Sequence, residues 1–324
     1  MQDGARRAGE VPGPAGGVEA GIVGAGAVGR LLACLLSLGG ARVTLYARDE
    51  AKRRALEQQG LRLEGPEGVK TASVKLARGP EELAEAGFVI LATKAHQLEG
   101  ALQELRPVLA RGPCLVLVQN GMGFQERVAQ SVGPERLVVA SLYIGAQLRD
   151  EGSVLYAGGS DVELAALAPS ARGRLEEASR LFAAGGLRVR IRQDWRAMLW
   201  EKLIVNSAIN PITALSGLSN GEVLQVPSLA RLLVRVAHES YRVALAEGIG
   251  PSFTDPAAKV LEACRSTASN RSSMLQDLQA GRRTEVDFIN GYIVEKAQER
   301  GVEAPLNLAL YALVKGRERA LGVG

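Results

Sequence analysis

Lys202, Asn206 and Asn210 recur every four residues in the stretch Met198-Leu-Trp-Glu-Lys202-Leu-Ile-Val-Asn206-Ser-Ala-Ile-Asn210-Pro211. On a helix this spacing puts them in one row. The remaining positions are mostly apolar, so the helix is expected to be buried, and a buried polar row needs something to pair with. The competing reading is a surface helix with a narrow wet stripe. A solvated stripe is usually wider and richer in Glu, Lys or Arg, and asparagine is a poor helix former. The row therefore reads as facing a ligand, with an ammonium able to release a proton and two amides able to hold a polar molecule. Pro211 is expected to kink or end the helix.

A second constellation lies near the N-terminus. Gly24-Ala25-Gly26-Ala27-Val28-Gly29 follows the strand-like residues Ile22 and Val23 and precedes the apolar run Leu31 to Leu36. The order strand, glycine turn, helix is what a dinucleotide site requires. Gly24 allows a tight turn, Gly26 lets the backbone come close to a pyrophosphate, and Gly29 lets the helix pack on the strand, while the helix N-terminus offers unpaired N–H donors. Arg48 ends the second strand-like segment, Arg42 to Ala47, nineteen residues after Gly29. There an arginine suits the 2′-phosphate of NADP, so NADPH/NADP+ is the expected cofactor. Asp49 beside it reads as the N-cap of the next helix; were it to face the ribose, NAD would fit as well.

These residues need a scaffold, and the pattern supplies one. Leu61-Arg-Leu-Glu, Phe88 to Thr93, Cys114 to Val118 and Leu137 to Ile144 read as strands, with helices such as Pro80 to Ala86 and Leu98 to Leu109 between them. Alternation of this kind predicts an α/β fold, a Rossmann-type doubly wound parallel sheet. Two loops at strand ends carry polar candidates: Lys94, His96 and Gln97 in one, Asn120 with Gly121 in the other. A solvated loop and a plain turn are the bland alternatives. Ser153 to Ala157, Val162 to Ala165 and Leu187 to Ile191 read as edge strands. From Trp195 onward only helical periodicity remains: 195–215, 228–247, 256–264, 272–280, 284–300 and 306–321. The expected domains are thus a disordered extension over 1–17, an NADP-binding Rossmann domain over 18–192 and an all-α substrate domain over 193–324. Within the last, Ser273 and Gln276 have capping-box spacing, and Thr284 is placed to cap a helix whose first turn holds Glu285 and Asp287.

Composition narrows the function classes. The chain has 324 residues, 47% of them hydrophobic, and a net charge of +4. No apolar run spans a bilayer, and no basic run interleaves with aromatics, so a soluble protein without nucleic-acid or membrane partners is expected. The three cysteines, Cys34, Cys114 and Cys264, are far apart in apolar surroundings. They read as packing residues of a reducing cytoplasm, not as disulfides or metal ligands.

Gly24 to Gly29, Arg48, Thr93-Lys94-Ala-His-Gln97, Asn120-Gly-Met-Gly123, Lys202 to Ala214, Ser272-Ser-Met-Leu-Gln-Asp277 and Thr284 to Gly291 together resemble the ketopantoate reductases, from about Val18 to the C-terminus. The resemblance implies reduction of a small 2-keto acid, 2-dehydropantoate, to pantoate with NADPH on the route to coenzyme A. It implies Lys202 as general acid, Glu285 as substrate anchor and lysine partner, and Asn206, Asn210 and Ser273 as substrate ligands. Asn120 is a candidate for both substrate and cofactor, and Gly24, Ala25, Gly26, Ala27, Val28, Gly29, Arg48, Lys94 and Gln97 for the cofactor. Family members are monomers or dimers, which leaves a homodimer open. Two other readings compete: a paralogue that reduces a different 2-keto acid, and a sensor that binds NADP without turnover.

Overall fold

The structure is a computed structural model that describes residues 17–323; the expected disordered extension, Gly17 aside, lies outside the described residues. The chain divides into two compact units. One holds the described residues up to Thr93, together with Glu99–Val118 and Pro134–Ile191; the other holds Lys94–Leu98, Gln119–Gly133 and the residues from Arg192 onward.

The first unit is built on β1 (Glu19–Val23), β2 (Arg42–Tyr46), β3 (Leu61–Gly65), β4 (Gly68–Ala72), β5 (Val74–Ala77), β6 (Phe88–Leu91), β7 (Cys114–Leu117), β8 (Leu137–Leu148), β9 (Ser153–Ala166) and β10 (Arg188–Ile191). They join in the order β4-β3-β9-β8-β7-β6-β1-β2-β5, with β10 against β9. Pairing is parallel throughout β8-β7-β6-β1-β2-β5. It is antiparallel at β3/β4 and β8/β9. β1 pairs with β2 on one side and β6 on the other, so the strand order reverses there, the position at which doubly wound sheets take ligands. β6 and β7 are buried at every residue, which is why they read as unbroken apolar runs instead of alternating ones. Helix α1 (Ala27–Leu38) buries Leu31, Leu32, Leu35 and Leu36; each such side chain contributes about 1.5–3 kcal/mol. Helices α2 (Glu50–Gln59), α3 (Leu98–Glu104), α4 (Arg106–Leu109), α5 (Gln125–Val132) and α6 (Arg172–Ala184) follow in the chain, α5 belonging to the second unit.

Three expectations change here. The segments at 153–157 and 162–165 are one continuous strand, β9, and it lies inside the sheet between β3 and β8. Gly158 and Gly159, at φ 106° and 75°, let the chain bulge without leaving β8. The helix expected at Pro80 to Ala86 is a single 3₁₀ turn, Pro80–Leu83. β4 and β5 were not anticipated.

The second unit is helical: α7 (Trp195–Ser216), α8 (Asn220–Gln225), α9 (Pro227–Ala246), α10 (Pro256–Ser266), α11 (Ser273–Gln279), α12 (Asn290–Arg300) and α13 (Pro305–Ala320). Asp194 caps α7, accepting from the N–H groups of Arg196 and Ala197 at 2.9 and 3.1 Å, and Gly217 closes it at φ 76°. Of the two outcomes expected at Pro211, a kink or an end, the helix does not end: α7 continues to Ser216. A proline deprives the carbonyl four residues back of its donor. That carbonyl belongs to Ser207, and the Asn290 amide donates to it at 2.9 Å. Asn290 also donates to Asn307 Oδ1 at 3.0 Å, and the buried Glu239 carboxylate accepts from the N–H groups of Leu306 and Asn307, capping α13. The groups that replace the missing bond come from α9, α12 and α13, while Asn290 Oδ1 itself is buried without a partner among the described residues. A further correction concerns 284–300. Thr284 Oγ1 accepts from the N–H of Val286, residues 286–288 form a 3₁₀ turn, and α12 starts only at Asn290.

Candidate active site

In the first unit the glycine turn behaves as three distinct residues. Gly24 has φ 111° and its N–H donates to Tyr46 O at 2.9 Å; a Cβ there would lie 2.9 Å from the backbone of Ala92 and Thr93. A Cβ on Gly29 would sit 1.8 Å from Gly24 O. A Cβ on Gly26 meets nothing within 4 Å. Gly24 and Gly29 are thus required by the protein's own packing, whereas the space over Gly26 is left for something else. Gly26 is the N-cap of α1 and makes no side-chain cap bond, and the first turn, with Ala27 and Val28, carries no acidic residue, so its N–H donors fit an anion. Ala25 is buried, and its carbonyl accepts from Arg30 Nε at 2.9 Å.

Arg48 follows β2 with its guanidinium half exposed and paired to Glu104 at 3.1 Å. Asp49 is committed elsewhere: its carboxylate accepts from the N–H groups of Ala51 and Lys52 at 3.0 and 3.2 Å as the N-cap of α2. Those bonds hold its carboxyl below the ordinary range. The residues present at the turn and strand end fit a dinucleotide, and the guanidinium at the end of β2 is that of Arg48, paired to Glu104.

In the second unit Lys202, Asn206 and Asn210 lie in one row on α7, with Asn210 6% exposed and the other two half-buried. Among the described residues, neither asparagine side chain takes a hydrogen-bond partner. Glu285, also 6% exposed, precedes the 3₁₀ turn Val286–Phe288. Its carboxylate accepts from the Ala95 N–H at 3.2 Å and from Asn120 Nδ2 at 3.3 Å, and it stands 3.8 Å from Lys94 Nζ. The structure thus brings Lys94, Asn120 and Glu285 together. Gly121 permits this: at φ 92° it lies so close to Phe288 that a Cβ would come within 2.3 Å of the carbonyl oxygen, which accepts from Met122 N–H at 2.9 Å. Gln97 is exposed, and its Oε1 accepts from the Lys94 N–H at 3.2 Å. Ser273 is exposed in the first turn of α11, and the capping expectation shifts by one residue. Ser272 is the N-cap, accepting from Leu275 N–H at 3.1 Å and from Thr213 Oγ1 at 2.7 Å, because its neighbour on α7 fixes it inward.

Asp277 is the main residue that sequence reasoning passed over. Its carboxylate is 3% exposed, is joined to Lys94 and lies 3.1 Å from Arg282 Nε. Burial works against the charge on Lys94, but the Glu285 and Asp277 carboxylates outweigh it and hold the ammonium above its ordinary range. The available signal was an aspartate on a short helix otherwise apolar on that face, which demands a buried cation. Glu318 is another: fully buried on α13, it accepts from both the N–H and the hydroxyl of Thr284, at 2.7 and 2.6 Å, and so fixes the residue before Glu285. His96 is driven below its ordinary pKa by burial and then by Arg283 and Lys94. Both effects favour the neutral imidazole over the charged one.

A doubly wound sheet with this glycine turn, joined to an all-helical unit carrying a lysine-asparagine row, defines a dinucleotide-binding oxidoreductase. Comparison with known proteins makes this specific. The profile described as ketopantoate reductase PanE/ApbA matches residues 20–169, and its C-terminal counterpart matches 194–318. The chain belongs to the ketopantoate reductase family. It is 36% identical to a 2-dehydropantoate 2-reductase of Archaeoglobus fulgidus over 93% of this chain and 98% of that one. The crystal structure of 2-dehydropantoate 2-reductase from Geobacter metallireducens superposes with a TM-score of 0.86 at 26% identity, over 92% of this chain and 99% of that one. A D-mandelate dehydrogenase solved with NADH and anilino(oxo)acetate shares the fold, with a TM-score of 0.86 at 24% identity over 94% of this chain and 100% of that one. Among the described residues no helix is long and apolar enough to cross a membrane, and Cys34, Cys114 and Cys264 are buried free thiols.

Proposed function

We propose that this chain reduces 2-dehydropantoate to pantoate with NADPH. The observation that carries the reading is the row on α7: two nearly buried or half-buried amides without protein partners, in line with a lysine, on a helix that otherwise faces the core. Among the described residues neither amide has a protein partner, and neither is sealed from solvent, so both can offer a donor and an acceptor to a polar anionic substrate.

When bound, NADPH supplies the hydride. Lys202 gives the proton to the oxygen that was the ketone. Asn206, Asn210, Ser273 and Asn120 supply donors and acceptors for the substrate's carboxylate and hydroxyl. Glu285, held from behind by Ala95 N–H and Asn120, accepts from the hydroxyl. Lys94 balances the Glu285 charge and, with Gln97, Asn120 and the turn from Gly24 to Gly29, belongs to the cofactor's contacts. Arg48 selects NADPH through the 2′-phosphate, a choice favoured by the commitment of Asp49 to its helix cap.

The test is NADPH oxidation with 2-dehydropantoate, 2-ketoisovalerate and pyruvate. Turnover that depends on the hydroxymethyl arm supports the assignment. Equal kcat/KM for 2-ketoisovalerate points to a paralogue acting on another 2-keto acid, and tight NADPH binding without turnover of any of them points to a sensor. Lys202→Ala is expected to lower kcat by about 10²–10⁴-fold while NADPH still binds; near-normal kcat in that variant refutes the proton assignment.

A further inference from the structure

Arg30 follows the last glycine of the turn, and its side chain is 1% exposed. A guanidinium is almost never this buried unless it is paired. Here the pairing is unusual, because the hydrogen-bond acceptors are backbone carbonyls. Nε donates to Ala25 O at 2.9 Å, and Nη1 donates to Glu151 O at 2.7 Å and Asp150 O at 3.3 Å. The Glu151 carboxylate stands further off, 3.7 Å from Nη2, and its side chain is 59% exposed. Carbonyls satisfy donors without cancelling charge, so compensation of this cation against the glycine turn falls to the carboxylates of Glu151 and Asp150, both about half exposed. Burial pulls its pKa below the ordinary arginine value, with Glu151 opposing this.

The arginine is fixed at both ends. Its own N–H donates to Gly26 O at 2.9 Å while its side chain holds Ala25 O, so the turn is gripped twice by one residue. The far end sits on the turn between β8 and β9. That turn is tied to β3: Gly152 N–H donates to Asp150 Oδ1 at 2.7 Å, Arg62 N–H donates to Gly152 O at 2.9 Å, and the Arg62 guanidinium donates to Asp150 Oδ2 at 3.3 Å.

We propose that Arg30 is a positioning residue for the dinucleotide pyrophosphate: it anchors the Ala25 peptide to the β8–β9 turn and adds a buried positive charge at the N-terminus of α1. The inference rests on the dinucleotide reading of the turn, and it adds a residue that the glycine fingerprint does not contain. Its signature differs from that of Arg48. The pyrophosphate is common to NADPH and NADH, so Arg30 acts on both cofactors equally, while Arg48 faces the 2′-phosphate that only one of them has.

The experiment is titration of the full chain with NADPH and NADH, read by fluorescence, together with kcat at saturating NADPH. Arg30→Met is expected to weaken both cofactors by about tenfold or more, with their affinity ratio kept and kcat at saturation nearly unchanged. Arg30→Lys, which keeps the charge but not the fork of donors, should lose less. Glu151→Gln, a change on an exposed side chain, removes the larger of the two opposing carboxylate contributions, Asp150 being the other, and should tighten both cofactors by about two- to fivefold at low salt. This variant decides the matter if Arg30→Met does not fold. Unchanged affinities in Glu151→Gln and Arg30→Lys overturn the proposal, as does a loss confined to NADPH. Failure of the unaltered chain to bind either cofactor overturns instead the dinucleotide reading beneath it.

Discussion

Replacing Gly26 by alanine is expected to leave the fold standing and weaken the dinucleotide, while the same change at Gly29 is expected to damage the fold. At Gly26 the backbone is extended, φ −77° and ψ −176°, a conformation open to any residue, and the added Cβ meets nothing within 4 Å. Alanine is a poorer N-cap than glycine by up to about 1 kcal/mol. Restricting the unfolded chain returns about 0.4–1 kcal/mol, so the net change in stability is near zero. At Gly29 the new Cβ would stand 1.8 Å from Gly24 O and 3.3 Å from the Ala92 Cβ. The oxygen is backbone, and Gly24 is itself tied to Tyr46 O, so no rotamer relieves the overlap and α1 must move away from the turn. Overpacking of this kind costs about 1–3 kcal/mol or more, a large share of the roughly 5–15 kcal/mol that holds a domain folded. Urea denaturation and NADPH titration of the two variants separate the effects. Gly26→Ala should keep its unfolding midpoint and lose at least about tenfold in affinity, about 1.4 kcal/mol. Normal NADPH affinity in Gly26→Ala, or equal destabilisation by both substitutions, refutes the division of labour among these glycines.

Arg48→Ala should weaken NADPH by about tenfold or more and leave NADH nearly untouched, because NADH has no 2′-phosphate to lose; titration with both cofactors checks this, and equal losses refute it. Asn206→Ala, Asn210→Ala and Ser273→Ala should each raise KM for 2-dehydropantoate by about tenfold, with little change in NADPH affinity; collapse of NADPH binding would reassign the α7 row to the cofactor. Asp287 is pulled upward by burial, but Arg283, Lys315 and Tyr311 more than compensate and its carboxyl is held below the ordinary range. A depressed folded value contributes stability above the unfolded pKa, near 4, that is lost as pH falls through the folded one. Asp287→Asn should therefore cost about 2–3 kcal/mol at pH 7 and flatten the loss of stability below about pH 4, as read from denaturation midpoints across pH.

Much of the architecture was legible because it is written in local pattern. β1, the glycine turn and α1 follow from a strand-to-helix switch in period, and α7, α9 and α13 from apolar spacing, the last three within a residue or two of the observed bounds. The candidate row on α7 was legible for the same reason: three polar side chains at intervals of four stand out on an apolar helix. Asp277, Glu318 and Arg30 were not, because nothing in their local sequence says what they meet. Their partners lie at separations of 183, 34 and 120 residues, and only the fold brings those together.

Pro211 shows how such a distant contact bears on a local rule. Read alone, a proline sixteen residues into a helix ends it or bends it, since the ring leaves one carbonyl without a donor. The rule states a debt of a single hydrogen bond, and any donor of the right geometry can meet it. Asn290, fixed by Asn307 at the start of another helix, does so from 83 residues away. α7 consequently stays helical to Ser216, and Thr213, two residues beyond the proline, is in place to hold Ser272 at the cap of α11. The segment that carries Asp277 and Ser273 is thus tied to the helix that carries Lys202, and the tie depends on the helix surviving its proline.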